Sequence, residues 1–545
     1  MISKPNLVVV LFFVLNVLQA ALTPLTGDEA LYWQYWQHLD FGFRDHPPLI
    51  GLLIGMGDSL WHSELGARLL VVGCGSLTLW VAMRFTKPAV WWHFALLFFS
   101  IPVFTLYSFI ATPDAPLLAS TALYLWAWKN FTQVQHTKNA LILGACMALM
   151  MWSKYHGLFI IIFTLLPLRK LWFNGHYWLA ALCGVVLFSP HIVWQIVNDL
   201  PTVKFHLNDR NNDAMELKHI LGYVGGQFGV FNPVVLCLAA WIMWRRKAQN
   251  NFERSMRWLM NGVLLLFFLN SMRGRVEPHW TAPVALAALY IIITHWRSAA
   301  PKRVVLWSLG VLCVLVLAAR AILMLDMVPR LHKDKYKMFA LQKVAGNLPV
   351  CFMNSYQNPS LYAFYTGGVA HSVNNIDGGK NQYDYWNYHE HIHEKPYLNV
   401  LPYSYDGFSD TIIDGFTFHV RKEFDQPLMH HLRLWTDEWL HEVHSGDTVR
   451  WPAWLINENN YAIQFCGEHT VRWFALMNHK KPNEAKADVE LIDNPTMIAA
   501  GDSIRVVVQF EVPSLAGSHR LCFATQVDGL PLTYQSNWQR IHISP

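Results

Sequence analysis

Apolar residues are distributed unevenly along the chain. Before about residue 325 they gather into runs of roughly 17–23, each long enough to cross a bilayer core of about 30 Å as a helix. The pattern predicts eleven spans, with approximate limits 6–22, 65–84, 89–110, 115–129, 139–153, 157–172, 177–197, 219–243, 256–271, 280–296 and 304–325. Beyond them the pattern is that of a soluble protein. Val350-Cys351-Phe352-Met353 reads as a strand and Asn358 to Tyr365 as a helix, with further strands near His371 to Asn374 and Leu398 to Pro402. That alternation predicts a small α/β unit. From about 430 the signal is purely β: Ser445 to Trp451 and Thr470 to Phe474 read as strands, and Ser503 to Phe510 alternates, with Ile504, Val506, Val508 and Phe510 on one face. Short strands at this spacing predict a β-sandwich. The expected organisation is a transmembrane domain over 1–328, an α/β domain over 329–428 and a β-sandwich over 429–545.

Composition sharpens the class. Aliphatic, aromatic, Met and Cys residues make up 53% of the 545 residues and charged residues 14%, against about 25% charged in soluble proteins. Loop charge then orients the spans, because Lys and Arg accumulate on the cytoplasmic side. With the N-terminus inside, the inner loops carry Arg84 and Lys87, Lys129 and Lys138, Arg169 and Lys170, a cluster from Arg245 to Arg257, and Arg297, Lys302 and Arg303. The outer loops hold fewer. An odd number of spans places the tail outside, which predicts a multi-pass membrane protein with its C-terminal domains on the outer side. If the first segment is instead a cleaved signal peptide, the chain still emerges on the same side. The net charge of +5 comes largely from inner loops and gives no sign of nucleic-acid binding. Eight cysteines are too few for a disulfide scaffold; Cys466 and Cys522 are the pair expected to bridge if both lie on facing strands.

The charged outer loops converge on one membrane face. The first carries Asp28 and Glu29 just beyond the first span, then Arg44, Asp45 and His46 before Pro47-Pro48. The second is Ala111-Thr112-Pro113-Asp114-Ala115-Pro116, an acid between two prolines. Lys154, Tyr155 and His156 lie at the outer end of the fifth span, and Lys204, His206, Asp209, Arg210, Asp213 and Lys218 in the loop at 198–218. The last outer loop reads Arg273-Gly274-Arg275-Val276-Glu277-Pro278-His279-Trp280. Ionisable groups at a membrane rim are costly to keep and are functional candidates for that reason. Arginines, a lysine and histidines suit a phosphate, and carboxylates suit work on a hydroxyl. This is the inventory expected of a transferase with a lipid-phosphate-linked donor.

The same residues carry a resemblance. Asp28-Glu29-Ala30 with Tyr32-Trp33, Asp45-His46-Pro47-Pro48-Leu49, Gly66-Ala67-Arg68-Leu69, Thr112-Pro113-Asp114-Ala115-Pro116 and Ser153-Lys154-Tyr155, in this order, resemble a membrane glycosyltransferase of the GT-C superfamily. Within it the chain is similar to the branch of dolichyl-phosphate-mannose protein mannosyltransferases and bacterial lipid A aminoarabinose transferases. The likeness covers roughly the first 300 residues. In the tail, Asn354-Ser355-Tyr356-Gln357 through Tyr365 and Asn381-Gln382-Tyr383-Asp384 fit the soluble domain of bacterial members. The resemblance implies a polytopic α-helical GT-C fold and inverting sugar transfer from a polyprenyl-phosphate donor to an envelope glycolipid of lipid A or lipopolysaccharide type, on the periplasmic face. A protein acceptor, as in O-mannosylation, is the alternative. Asp28 matches the first-loop acid, the expected base, with Glu29 beside it; Asp114 matches the second-loop acid. The substrate-binding set expected around them is Asp45, His46, Lys154, Tyr155, Arg273, Arg275, Glu277 and His279, with the two arginines and Lys154 directed at phosphate. Some aminoarabinose transferases carry a lysine where this chain has His46, a departure that bears on donor sugar and phosphate contact.

Structural readings stand beside these assignments. Asp28-Glu29 suits a helix N-terminus, Asp114 a turn, His46-Pro47-Pro48 a rigid helix entry and Lys154 an interface-seeking side chain. Arg273 and Arg275 suit interface anchors or partners of Glu277, and His279-Trp280 a membrane-interface pair. His389, His391 and His393 alternate as on one face of a strand, and His430-His431 form a second cluster, but no complementary Cys/His spacing accompanies them. Neither a catalytic metal nor another cofactor is expected. A transporter of lipid-linked sugar would tend to show internal repeats and helices interrupted near the midplane; here the two halves show no repeat, and the acids cluster at one face. A non-catalytic envelope assembly protein would have no need of both acids.

Overall fold

A computed structural model describes residues 4–204, 216–296, 301–325, 327, 329–373, 381–386, 392, 395–424, 429, 431–465, 469–478, 485–492 and 495–545. The chain divides into two compact units, Met1–Lys335 and Tyr336–Pro545.

The first unit is helical, and its helices fall on the predicted spans. α1 (Lys4–Leu22) is the first. The outer loop after it folds as two helices that hydropathy does not resolve, α2 (Gly27–Gln37) and α3 (Leu49–Asp58). Thr26 opens α2 with a capping box: its hydroxyl accepts from the Glu29 N–H while the Glu29 carboxylate accepts from the Thr26 N–H. Glycines let α3 pack closely, since a side chain at Gly55 would meet the Trp36 ring and one at Gly57 the backbone of Gly66. α4 (Glu64–Thr86) is the second span. α5 (Trp91–Ser100) and α6 (Pro102–Leu106) share the third, broken at Pro102. α7 (Asp114–Gln133), α8 (Thr137–Ser153), α9 (Gly157–Leu165) with a 3₁₀ turn at Arg169–Phe173, and α10 (Gly175–Val197) are the fourth to seventh. After the short α11 (Pro201–Lys204), the eighth predicted span is two helices, α12 (Leu217–Phe231) and α13 (Pro233–Arg245), bent by 95°. Asn232 between them has φ +66°, and Pro233 cannot continue the hydrogen-bond ladder. α14 (Asn251–Ser271), α15 (Val284–Trp296) and α16 (Arg303–Met324) complete the unit.

The count of eleven crossings is not reproduced by helix length and apolarity. Among the described residues four helices pass that test, α1, α4, α10 and α16, and five if the bent α12–α13 pair is one span. The others are shorter or less apolar. α7 and α15 bury most of their residues inside the bundle, so packing rather than lipid sets their composition.

Buried polar contacts lock the helices. Arg320 of α16 donates to Gln19 Oε1 at 3.0 Å and Asn16 Oδ1 at 2.8 Å on α1. Where α13 joins α14, the buried Glu253 carboxylate accepts from Arg257 Nε at 2.9 Å, Arg257 Nη2 at 2.6 Å and the Gln249 N–H at 2.8 Å. His295 of α15 meets it at 3.0 Å. Arg257 also donates to the Arg246 carbonyl at 2.6 Å, which closes the α13–α14 connection.

Among the described residues the tail carries three sheets, of five, nine and two strands. α17 (Pro329–Ala345) precedes β1 (Val350–Met353), α18 (Gln357–Thr366), β2 (Ala370–Val373), β3 (Pro396–Leu401), β4 (Ser409–Ile413) and β5 (Phe416–Phe424). The sheet order is β2-β1-β3-β5-β4, with β1 parallel to β2 and β3 and the β4–β5 hairpin antiparallel. That hairpin is unforeseen, although Asp414-Gly415, both at positive φ, is the usual sequence of its turn. The remaining strands are β6 (Leu432–Trp435), β7 (Glu442–His444), β8 (Thr448–Asn457), β9 (Ile463–Gln464), β10 (Val471–Asn478), β11 (Ala485–Ile492), β12 (Met497–Ile498), β13 (Ser503–Glu511), β14 (Gly517–Val527), β15 (Thr533–Tyr534) and β16 (Gln539–Ser544). Hydrogen bonds join nine of them into one sheet, β6-β8-β13-β11-β10-β14-β16-β7 with β15 beside β14, rather than into two separate sheets. Its buried face gathers Leu434, Trp451, Leu455, Val508, Phe523 and Ile541 into a single core. Cys466 and the histidines at 389, 391, 393 and 430 lie outside the described residues.

Removing one partner of a buried ion pair costs about 3–5 kcal/mol. Glu253→Ala is therefore expected to lower the apparent melting temperature in detergent by at least roughly 5 °C. Trp307→Ala, at a site 76% exposed on α16, is expected to leave it unchanged.

Candidate active site

One ion pair organises the first two outer loops. Arg68 of α4 and Glu29 of α2 are each 1% exposed and meet through two parallel hydrogen bonds, Arg68 Nε to Glu29 Oε1 at 2.6 Å and Nη2 to Oε2 at 2.7 Å. The remaining guanidinium donors bind the carbonyls of Ala20, Thr23 and Pro24 at the end of α1. Glu29 also accepts from the Thr26 N–H at 2.9 Å and the Ala111 N–H at 2.7 Å. Burial alone raises the Glu29 carboxyl, but the charge and hydrogen bonds of Arg68, with the two backbone donors, outweigh it and hold the group below its ordinary value. Glu29, expected beside Asp28 as a catalytic acid, is thus fully engaged by the protein. Its carboxylate has no lone pair left for a substrate.

Ala111 is three residues before Asp114, so the same pair reaches the second acid. Asp114 opens α7 and is buried; Lys154, at the end of α8 and also buried, donates to both of its oxygens at 2.9 Å. His279 Nε2 lies 3.7 Å from Asp114 Oδ2. Lys154 was expected to support a phosphate, whereas the structure directs it to the Asp114 carboxylate. The His279 ring packs near Tyr107, with centroids 5.9 Å apart. Asp28 itself is half-buried, in the first turn of α2.

The rest of the predicted set divides. The Tyr155 hydroxyl is held by His191 Nε2 at 2.8 Å, Gln195 Nε2 at 3.1 Å and Thr202 Oγ1 at 3.2 Å. His191 Nδ1 in turn meets the Phe41 carbonyl at 2.7 Å, and Thr202 donates to the Phe43 carbonyl at 3.2 Å. Tyr155 therefore anchors the far half of the first loop to α10 and α11. Asp45 receives Arg44 Nη1 at 3.3 Å, and the His46 ring lies 5.8 Å from Tyr32. Arg273 and Arg275 are both exposed, and Arg275 Nε pairs with Glu277 Oε1 at 2.9 Å. Of the longer outer loop, His206, Asp209, Arg210 and Asp213 lie outside the described residues. Among the described residues no three His, Cys, Asp or Glu side chains are arranged to hold a metal ion.

The site holds the half-buried Asp28 carboxylate and a second acid, Asp114, paired with Lys154. It suits removal of a proton from a hydroxyl and departure of an anion. Sequence reasoning overlooked Tyr107, Arg68 as a strut, and the His191–Gln195–Thr202 cluster. The signal was present for two of them: Arg68 is a lone cation in an apolar span, and His191 and Gln195 are polar residues one turn apart in another.

The chain is similar in sequence and in fold to known proteins. Residues 45–194 match the family described as dolichyl-phosphate-mannose-protein mannosyltransferase. The lipid A galacturonosyltransferase RgtD of Rhizobium johnstonii is 27% identical over 320 residues, 54% of this chain and 67% of the relative. The fold matches crystal structures of ArnT from Cupriavidus metallidurans, apo and bound to undecaprenyl phosphate, with TM-scores of 0.57 and 0.58 at 14% identity. Both alignments cover 77% of this chain and 98% of ArnT. The resemblance to membrane glycosyltransferases carried by the loop motifs is thus borne out.

Proposed function

We propose that the chain transfers a sugar, with inversion, from a polyprenyl-phosphate donor to a lipid A-type envelope glycolipid at the periplasmic face of a bacterial inner membrane. The observation that carries this reading is the buried Asp114 carboxylate, which accepts from Lys154 Nζ at 2.9 Å and has His279 Nε2 at 3.7 Å, one loop away from Asp28. The sequence relationship to a lipid A galacturonosyltransferase and the fold shared with ArnT support it. In this scheme eleven crossings, the 219–243 segment entering as a bent pair, leave both C-terminal domains on the periplasmic side. Residues 1–328 carry the chemistry, and 329–428 and 429–545 form the appended domains.

Asp28 takes the proton of the acceptor hydroxyl as its oxygen attacks the anomeric carbon. The bond from that carbon to the donor phosphate breaks, and its electron pair leaves with polyprenyl phosphate. Arg273, with Arg275 and His46, lies at the edge where the growing negative charge needs cations. Asp114, neutralised by Lys154, holds the acceptor; Asp45, Glu277 and His279 line the same region. Glu29 acts through Arg68 as a positioning residue. A protein acceptor is the second reading, favoured by the match to the protein mannosyltransferase family.

The mass profiles of envelope lipids and glycoproteins from cells expressing the intact chain or Asp28→Asn, at equal membrane levels, test this. A sugar-sized mass gain on an envelope lipid is expected with the intact chain alone. Loss of a general base should slow transfer by roughly a hundred- to ten-thousandfold. Full transfer by Asp28→Asn would refute the assignment of the base, and a gain confined to glycoproteins would favour the second reading. Glu29→Gln is expected to lower stability by about 3–5 kcal/mol, since it leaves Arg68 buried without an anion. Because Glu29 titrates below its ordinary value of 4.5, its contribution is complete above that pH and is lost as pH falls below it. The melting temperature of the intact chain should accordingly fall more steeply on acidification than that of Glu29→Gln.

A further inference from the structure

We propose that the outward face of the nine-stranded sheet binds an acidic saccharide through Trp435, Trp454 and Arg505. Alternation sends Leu432 and Leu434 of β6 into the core and Arg433 and Trp435 outward. On β8 it buries Trp451, Ala453 and Leu455 and leaves Pro452 and Trp454 outside. The register sets Trp435 directly opposite Trp454, and Arg505 of β13 opposite Trp454 on its other side. The three side chains therefore form one row across three adjacent strands. At a strand spacing near 4.8 Å the row is about 10 Å long, the length of two linked sugar rings.

The exposure is selective. From residue 429 onward, the large apolar side chains left exposed among the described residues are Trp435 at 40%, Trp454 at 36% and Met497. Two of the three stand side by side. An indole offers a flat apolar surface with one polar edge, suited to the apolar face of a pyranose. The neighbouring arginines are already engaged: Arg433 pairs with Glu458 at 2.9 Å, and Arg450 donates to the neutral Gln509 Oε1 at 2.6 Å. Arg505 makes no ion pair or side-chain hydrogen bond among the described residues. Its planar fork suits a carboxylate or phosphate on the sugar. Three side chains are too small a patch for a stable protein interface, and one cation with two rings on a flat polar sheet fits an anionic glycan.

The test uses the full-length protein in detergent and a fluorescein-labelled trigalacturonate, with labelled maltotriose as the neutral control, read by fluorescence anisotropy. Saturable binding of trigalacturonate is expected. The double variant Trp435→Ala/Trp454→Ala should weaken it at least about tenfold, as truncation of paired aromatic anchors does. Trp435→Tyr/Trp454→Tyr, which keeps the rings, should retain it. Arg505→Gln should weaken trigalacturonate by roughly tenfold and leave maltotriose unchanged, since a charge-assisted pair is lost. No saturable binding, or unchanged affinity in the double alanine variant, overturns the proposal. So does loss of binding in Asp28→Asn, which would put the ligand at the membrane site. Loss of vesicle association or self-association in the double alanine variant, with trigalacturonate affinity intact, overturns it in favour of a lipid surface or a second copy. Because the readout is binding and not transfer, its failure is separable from failure of the transferase reading.

Discussion

The buried pair of Glu29 and Arg68 is the constraint on which the arrangement of the site depends. Two opposite charges out of reach of water are tolerated only when every donor and acceptor is matched. Here all of them are. The guanidinium spends its donors on Glu29 and on three carbonyls at the end of α1, and the carboxylate takes backbone donors from Thr26 and Ala111. Four segments of the chain meet at one point: the end of α1, the start of α2, the N-terminal part of α4 and the loop before α7. Asp28 and Asp114 lie one and three residues from atoms of this cluster.

A second cluster does for the far half of the first loop what the ion pair does for its start. Tyr155, His191, Gln195 and Thr202 tie the carbonyls of Phe41 and Phe43 to α10 and α11. The last outer loop is held in the same manner, with Thr281 donating to Gln227 of α12 at 2.6 Å and Pro278 seated against Gly226. A side chain on residue 226 would push that loop, and with it His279, away from Asp114. Loops that carry reactive groups at a membrane surface gain little from burial of apolar area. Their precision comes from matched polar contacts with helix ends.

Much of this was legible in the sequence. Runs of apolar residues marked the longer helices of the first unit, though not α2, α3 or α11, and the acids and their order of appearance marked the loops that converge. The strands at Val350, Ala370 and Pro396 and the β character of the tail followed from alternation. The hairpin at Asp414-Gly415 was there to be read from its turn residues. The number of crossings was less accessible, because hydropathy does not distinguish a helix surrounded by lipid from one surrounded by other helices. α15, buried along its whole length, and the bent α12–α13 pair show the difference.

The sequence alone determined which chemical groups exist, on which loops, and that they share one end of a helical bundle. Those properties depend on local periodicity and composition. It did not determine which acid is taken up by the buried ion pair. Asp28 and Glu29 are adjacent and identical in charge, and only tertiary packing brings Arg68 from α4, the N–H of Ala111 and the end of α1 onto one of them. The same holds for Lys154, whose sequence position suits a phosphate and whose neighbour in space is Asp114. Pairing between distant residues decides how a charge is used, because a buried ion is stabilised by the partners the fold supplies and not by its neighbours in the chain.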